Sequence, residues 1–284
     1  MTDAVATRVA ALPPLREAIA AAGFSAKKSL GQNFLLDINL TRRIARAAGP
    51  LDRGTTIEVG PGPGGLTRAL LIEGATELVA IERDARAAAA LAPLVEAAAG
   101  RLRLVEADAL EVGIASLGEA PRRVVANLPY NVATRLLLGW LETPTAFESL
   151  TLMFQKEVAD RLLAAPGDDA YGRLTVLVQW LCTARRVTEL PPSAFTPPPK
   201  VWSAVVRLEP RPEPSHPADR RTLERITEAA FGQRRKMLRQ SLKGLGGDAL
   251  LAAAGIEPTV RPERLTIAEF CRLANALSDR ETRR

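Results

Sequence analysis

One histidine, two cysteines and 4% aromatic residues are all that this 284-residue sequence offers of the side chains that most often carry catalysis and metal binding. The single His216 sits among prolines, which excludes most histidine-based triads and most metal sites. Cys182 and Cys271 stand far apart with no paired spacing, so neither a zinc ribbon nor a disulfide framework is expected. No stretch approaches 18 consecutive apolar residues, which argues against a membrane span, and the N-terminus has no compact basic, apolar and cleavage-site order of a secretory signal. The expectation is a cytoplasmic protein whose chemistry runs on something other than His, Cys or a metal.

What is present is ordinary in amount and uneven in placement. Apolar residues make up 47% and charged residues 25%, as in a soluble globular protein, and with so few aromatics the core must be aliphatic. The length fits one large domain with a small one attached. Net charge is +6, yet residues 1–209 carry 23 Lys and Arg against 22 Asp and Glu, while residues 210–284 carry 15 against 10. A basic appendage on a near-neutral body points to a polyanionic partner, because neutralised phosphates release counterions; a solvated helix face is the plainer reading of the same charges.

The segment Glu209-Pro-Arg-Pro-Glu-Pro-Ser-His-Pro217 marks the boundary, since four prolines in so short a run exclude a continuous helix. Before it, β-branched runs alternate with helical patterns. The pattern predicts strands over 55–59, 77–82, 103–107, 123–126 and 150–154, a helix over 66–72, and another from Asp84 through the Ala-rich positions to 100. Strands separated by helices imply a mostly parallel sheet covered on both faces, an α/β fold. After the boundary the pattern is helical only. The expected division is a large α/β domain over 1–209 (with an N-terminal extension over 1–24), a linker over 210–218 and a small all-α domain over 219–284.

Glu58-Val-Gly60-Pro-Gly62-Pro-Gly64-Gly65 follows one of these strands and opens a helix. Glycines there permit a tight turn and the close approach of a nucleotide-like ligand to bare backbone. Glu82, about 20 residues on at the end of the next strand, can accept hydrogen bonds from both ribose hydroxyls. Loop and acid together suit an adenosine-bearing cofactor without separating a nicotinamide dinucleotide from S-adenosylmethionine. Asp108, just past the following strand, is placed to accept from an adenine amine or simply to cap its loop.

Asn127-Leu-Pro-Tyr130 narrows the chemistry. It ends a strand, where open α/β sheets bind ligands. Methylating an exocyclic amine of adenine requires both N–H bonds to be aligned so that a delocalised lone pair turns toward the methyl group. The Asn127 amide oxygen and the Leu128 backbone carbonyl can accept those two bonds, Pro129 stiffens the turn, and Tyr130 offers a ring for the base.

Taken in order, Lys28-Ser-Leu-Gly-Gln-Asn-Phe-Leu35, Glu58-Val-Gly-Pro-Gly-Pro-Gly-Gly65, Ala80-Ile-Glu-Arg-Asp84, Asn127-Leu-Pro-Tyr-Asn131, Phe154-Gln-Lys-Glu-Val158, Phe195-Thr-Pro-Pro-Pro-Lys-Val201 and Phe231-Gly-Gln-Arg-Arg-Lys-Met-Leu238 resemble the ribosomal RNA adenine dimethyltransferases. The resemblance runs from about residue 25 to 279 and is nearest to the small-subunit (16S) type. It implies a Rossmann-like class I methyltransferase fold and dimethylation at N6 of two adjacent adenosines in the 3′-terminal hairpin of 16S rRNA, on the 30S subunit late in assembly. It further implies S-adenosylmethionine as cofactor, held by Asn33, Leu35, Gly60, Gly62, Glu82, Asp108 and Asn127. Asn127, Leu128 and Tyr130 would carry the transfer, with Phe195 as a second ring sandwiching a flipped adenine. No metal is implied, and a monomer is expected.

For RNA, Arg235, Arg239 and Lys243 fall at i, i+4 and i+8, and Phe231, Leu238, Leu242 and Leu245 take another face, which predicts one amphipathic basic helix. Arg234 and Lys236 join this basic run, and Lys27 and Lys28 are candidates for the target strand's backbone. Three alternatives remain: a large-subunit methyltransferase sharing the catalytic half, an assembly factor for which methylation is secondary, and, more distant, a nicotinamide oxidoreductase that would leave Asn127–Tyr130 without a role.

Overall fold

The computed structural model describes residues 3–23, 25–26, 31–233 and 236–282. Its frame is a seven-stranded sheet built from β2 (Thr55–Val59), β3 (Leu78–Glu82), β4 (Leu102–Glu106), β5 (Arg122–Asn127), β6 (Ser149–Gln155), β7 (Cys182–Leu190) and β9 (Ser203–Pro210). The spatial order is β4-β3-β2-β5-β6-β9-β7. The first five strands in that order pair in parallel, and β9 runs antiparallel to β6. Two further short strands, β1 (Phe34–Leu35) and β8 (Phe195–Thr196), form a separate antiparallel pair.

β2 and β3 are buried along their whole length, which is why both are apolar or β-branched but for Glu58 and Glu82 rather than alternating. The chain leaves β2 for β3 and β4 on one side, then returns to β5 and β6 on the other. The strand order therefore reverses between β2 and β5, and a crevice opens at their carboxyl ends. The observed strands fall within one or two residues of the expected ones. The Ala-rich segment differs: it forms two helices, Ala85–Ala90 and Ala92–Ala97, because Pro93 supplies no N–H to a continuous ladder. Asp84 caps the first of them by accepting from the Arg86 backbone N–H.

Within the N-terminal extension, residues 3–21 hold the helices Ala4–Ala10 and Leu15–Ala21. Val5 and Val9 are buried in the same core as Leu66, Leu70 and Leu94. Arg101 pairs with Asp3 at 2.5 Å, and Arg68 donates to the Pro13 carbonyl.

Contacts divide the chain into two compact units, one of residues 1–159 and 185–210, the other of residues 160–184 and 211–284. This differs from a single cut near 210, because residues 160–184 group with the C-terminal helices. The Tyr171 and Phe231 rings lie 6.2 Å apart, and Phe231 and Phe270 5.5 Å apart. The Trp180 indole N–H donates to the His216 carbonyl, and the Ser215 N–H to the Trp180 carbonyl. The second unit is helical, as expected after the proline run. Its helices include Arg173–Leu181, Arg220–Gly232, Gly247–Ala253 and Ile267–Thr282.

The expected basic helix over 232–243 is not formed. The helix that carries Phe231 ends at Gly232, Met237 is extended, and only a short helix, Leu238–Ser241, precedes a 3-10 turn at Lys243–Leu245. The break has a cause in the backbone: the Leu238 and Arg239 N–H groups are drawn to the carbonyls of Val260 and Pro258 instead of to a preceding helical turn. No described helix is long and apolar enough to cross a membrane.

Candidate active site

The cleft at the carboxyl ends of β2 and β5 is walled by segments 31–35, 58–66, 81–83, 107–110 and 127–132. The glycine loop forms its floor. Gly60 has φ of +69°, and a Cβ built on it would meet no atom within 4 Å, so bare backbone faces open space in a conformation that favours glycine. At Gly65 the constraint is opposite: a Cβ would come within 2.5 Å of the Leu35 carbonyl oxygen. Glycine there lets β1 lie directly on the start of the helix Gly65–Ile72.

Glu82 ends β3 and is buried. One carboxylate oxygen accepts from the Gly62 N–H at 3.1 Å, the other from the Asp84 N–H at 2.8 Å. Burial pushes its carboxyl upward, and these backbone donors partly hold it down. Each oxygen retains a lone pair, so the group can still accept from two hydroxyls. Asp108 is half-buried; its oxygens accept from Arg83 at 3.1 Å and from the Leu110 N–H at 3.0 Å.

Asn127 is the last residue of β5. Its side-chain amide donates to the Asn33 backbone carbonyl at 3.0 Å. With its N–H₂ tied to that carbonyl, the amide oxygen is left as the group's acceptor. The side chain of Leu128 is buried, which fixes the turn behind it. Tyr130 opens the helix Tyr130–Trp140, and its hydroxyl lies 2.6 Å from the Ser203 hydroxyl. Burial raises the Tyr130 phenol above its ordinary value, offset in part by Ser203.

The segment 31–35 is held across the cleft by several bonds. Gln32 donates to Asp84 at 3.1 Å, Asn33 receives the Asn127 amide, and Phe34 and Leu35 pair with Thr196 and Phe195. The structure thus gathers Asn33, Leu35, Gly60, Gly62, Glu82, Asp108, Asn127, Leu128 and Tyr130 around one opening.

Phe195 is not among them. It is 3% exposed, packs in the aliphatic core and does not line the cleft. Phe195 pairs with Leu35 across the β1–β8 ladder, and both side chains belong to the same buried aliphatic cluster. The structure does not bring Phe195, expected as a second stacking ring, together with the residues that line the cleft. Besides Tyr130, the aromatic lining the cleft is Phe34, whose ring edge stands 3.1 Å from where a Cβ of residue 62 would be.

Three contributors went unassigned in the sequence: Glu58, Phe34 and Ser203. Glu58 is fully buried in β2 and lines the cleft, and its Oε2 has no hydrogen-bond partner among the described residues. Burial pushes its carboxyl up to about 8; the Glu82 charge adds to this and the Thr67 hydroxyl offsets part of it. Glu58 and Phe34 stand inside quoted motifs, so the signal was there. Ser203 lies 73 positions from its partner, and nothing local marks it.

Of the candidate RNA-binding residues, Lys236, Arg239 and Lys243 are exposed; Lys27, Lys28, Arg234 and Arg235 lie outside the described residues. Among the described residues no group of three or more His, Cys, Asp or Glu side chains could hold a metal ion.

Comparison with known proteins places this geometry in context. The family model for ribosomal RNA adenine dimethylase matches residues 23–279. The chain is 61% identical over 267 residues to the ribosomal RNA small subunit methyltransferase A of Rhodospirillum rubrum, covering 94% of this chain and 93% of that one. Among solved structures, the 23S rRNA methyltransferase ErmE superposes with a TM-score of 0.67 at 28% identity, over 87% of this chain and all of that one. A dimethyladenosine transferase from Plasmodium falciparum gives 0.72 at 23% identity, over 86% and 97%, and shares the fold.

Proposed function

The chain belongs to the ribosomal RNA adenine dimethylase family, and from that membership we propose its particular reaction: transfer of methyl groups from S-adenosylmethionine to N6 of two adjacent adenosines in the 3′-terminal hairpin of 16S rRNA, on the small subunit late in its assembly. The enzyme class, an adenine dimethyltransferase acting on ribosomal RNA, follows from the family. The small-subunit substrate is supported by the relatives of about 60% identity that carry that name; ErmE is the more distant match.

The observation that carries the reading is the Asn127 amide, turned by the Asn33 carbonyl so that its oxygen is the free acceptor at the carboxyl end of β5. The residues around it suit S-adenosylmethionine. Glu82 can take the two ribose hydroxyls, Asp108 the adenine amine, and the Gly60–Gly62 backbone the amino-acid end. The Glu82 carboxylate faces a ligand with net positive charge, while the buried Glu58 carboxyl, held largely protonated near neutral pH, adds a polar wall without a charge. When bound, this cofactor supplies an electrophilic methyl on a cationic sulfur.

The chain's own part is positioning. The Asn127 oxygen and the Leu128 carbonyl accept the two N–H bonds of the target amine, which directs its lone pair along one line. Tyr130, fixed by Ser203, presents its ring to the flipped base; a single aromatic stack returns roughly 1–3 kcal/mol against the few kcal/mol that flipping costs. Held in line, the amine needs no covalent intermediate, and the surplus proton leaves from a nitrogen that is already cationic, so no histidine base is required.

The test is transfer of labelled methyl from S-adenosylmethionine to unmodified small subunits, with large subunits in parallel. Label in two adjacent 3′-terminal adenosines is expected. Label confined to the large subunit would reassign the substrate, and tight binding without label would leave an assembly factor. Asn127→Ala is expected to lower kcat by about 10²–10³-fold, the range for a lost hydrogen bond aimed at the reacting group, while cofactor affinity changes less; a near wild-type rate would overturn the assignment.

A further inference from the structure

The largest exposed side chain of the apolar class in the described structure is Trp202. It is 49% exposed and its neighbour Val201 43%, whereas Trp140 and Trp180 are 6% and 2% exposed. An indole left in water beside a catalytic cleft is unexplained by packing, and the chain around it is anchored at both ends in that cleft's walls. At one end, Phe195 and Thr196 are fastened to Leu35 and Phe34 by the β1–β8 pairing. At the other, Ser203 is fully buried and its hydroxyl meets that of Tyr130 at 2.6 Å. Between these anchors runs Pro197-Pro198-Pro199-Lys200, whose three fixed φ angles leave little freedom to fold away. The Trp202 carbonyl is bonded by the Lys156 N–H at 2.8 Å, which fixes the base of the loop to the end of β6.

We propose that Trp202, with the exposed Lys200 beside it, is a nucleobase-stacking subsite for a nucleotide flanking the target adenosine. The inference rests on the RNA-methylating reading and extends it to a second binding contact. Ser203 and Trp202 are consecutive in a chain entering a strand, where successive side chains take opposite directions. Ser203 therefore holds Tyr130 on the target side while Trp202 stands outside the pocket, positioned for the neighbouring base and not for the flipped one. An indole face suits any base, and Lys200 supplies positive charge for the adjoining phosphate. Once the target is unstacked, its neighbour has lost a stacking partner as well, and the indole replaces it. The surface is thereby continuous with the cleft, and its partner is single-stranded RNA.

Trp202 also provides its own reporter, since the other two indoles are buried. The cofactor-loaded full chain is titrated with a protein-free RNA hairpin from the 3′ end of 16S rRNA, with intrinsic fluorescence and anisotropy of labelled RNA read together. Binding is expected to quench fluorescence in the wild type and not in Trp202→Phe. Trp202→Ala is expected to raise the RNA Kd, and the KM for small subunits, by about 5- to 150-fold, with cofactor affinity and kcat at saturation unchanged; Trp202→Phe should recover most of the loss. RNA binding without quenching, or a Trp202→Ala variant with wild-type KM, overturns the proposal. A KM effect seen with whole subunits but no quenching by protein-free RNA assigns the indole to a ribosomal protein and overturns it too. Failure of the wild type to methylate any rRNA would instead remove the reading beneath it.

Discussion

At the scale of single residues, the cleft works through pairs in which one side chain decides what the other can do. Tyr130 and Ser203 are such a pair. A net hydrogen bond is worth about 0.5–1.5 kcal/mol, so Ser203→Ala and Tyr130→Phe should each reduce kcat/KM toward RNA by about 2- to 10-fold without changing cofactor affinity. The double variant should be no worse than either single one, because both changes remove the same bond. Additive losses in a steady-state double-mutant cycle would show that the hydroxyls act separately.

Glu58 makes a prediction of a different kind. Its carboxyl, pushed by burial to about 8 against an ordinary 4.5, binds its proton more tightly folded than unfolded. Its contribution to stability is therefore fully present below pH 4.5 and is lost as pH rises through about 8, at up to about 1.4 kcal/mol per pH unit. The upward shift of Glu82 acts in the same direction. Glu58→Gln, which resembles the protonated form, should flatten the fall of Tm between pH 5 and 8 and leave the variant more stable than the wild type at pH 8.5. Parallel Tm profiles for the two proteins would mean that Glu58 does not titrate in this range. Residues of this sort are half legible. Asn127, Glu82 and the glycines stand at strand ends in a readable order, whereas the orientation of the Asn127 amide by Asn33 and the burial of Phe195 depend on segments that meet only after folding.

Among elements, legibility followed the source of the pattern. Strands buried on both faces, such as β2 and β3, fall where their β-branched and apolar runs predict. The basic helix over 232–243 did not form although its spacing is ideal, because periodicity records which side chains seek the core and not how the backbone connects them. Leu238 and Leu242 are buried as the pattern demands, but through a short helix tied to residues 258–260. What survives for RNA is local charge rather than a stripe. Arg239 and Lys243 are both exposed, and each phosphate contact contributes about 0.9 to the slope of log K against log salt on duplex and 0.7 on single strands. Arg239→Glu with Lys243→Glu should weaken rRNA binding and lower that slope by roughly 1.4–1.8, leaving methyl transfer at saturating RNA intact. A salt titration with an unchanged slope would place both residues outside the contact.

The whole molecule is organised by a chain that enters its second unit twice. Composition marks the boundary near 210 through its prolines and its basic excess, but it carries no mark for residues 160–184, whose apolar pattern would suit either unit. Their allegiance is set by partners far along the chain: Tyr171 against Phe231, Trp180 against the His216 carbonyl, and the Gly167 N–H to the Glu263 carbonyl at 2.7 Å. A chain stopped at Pro210 therefore keeps residues 160–184 while removing what covers them. At roughly 1.5–3 kcal/mol for each large side chain returned to water, uncovering part of Tyr171 and Trp180 costs a few kcal/mol, a large share of a domain's usual margin. The fragment 1–210 should bind a hydrophobic dye and unfold at lower temperature than the full chain. A second fragment, with 160–184 replaced by a short Gly-Ser linker, should lose the dye binding and recover a cooperative transition. Equal Tm and absent dye binding in the simple truncation would show that residues 160–184 do not depend on the C-terminal helices, and the molecule would then divide at a single cut.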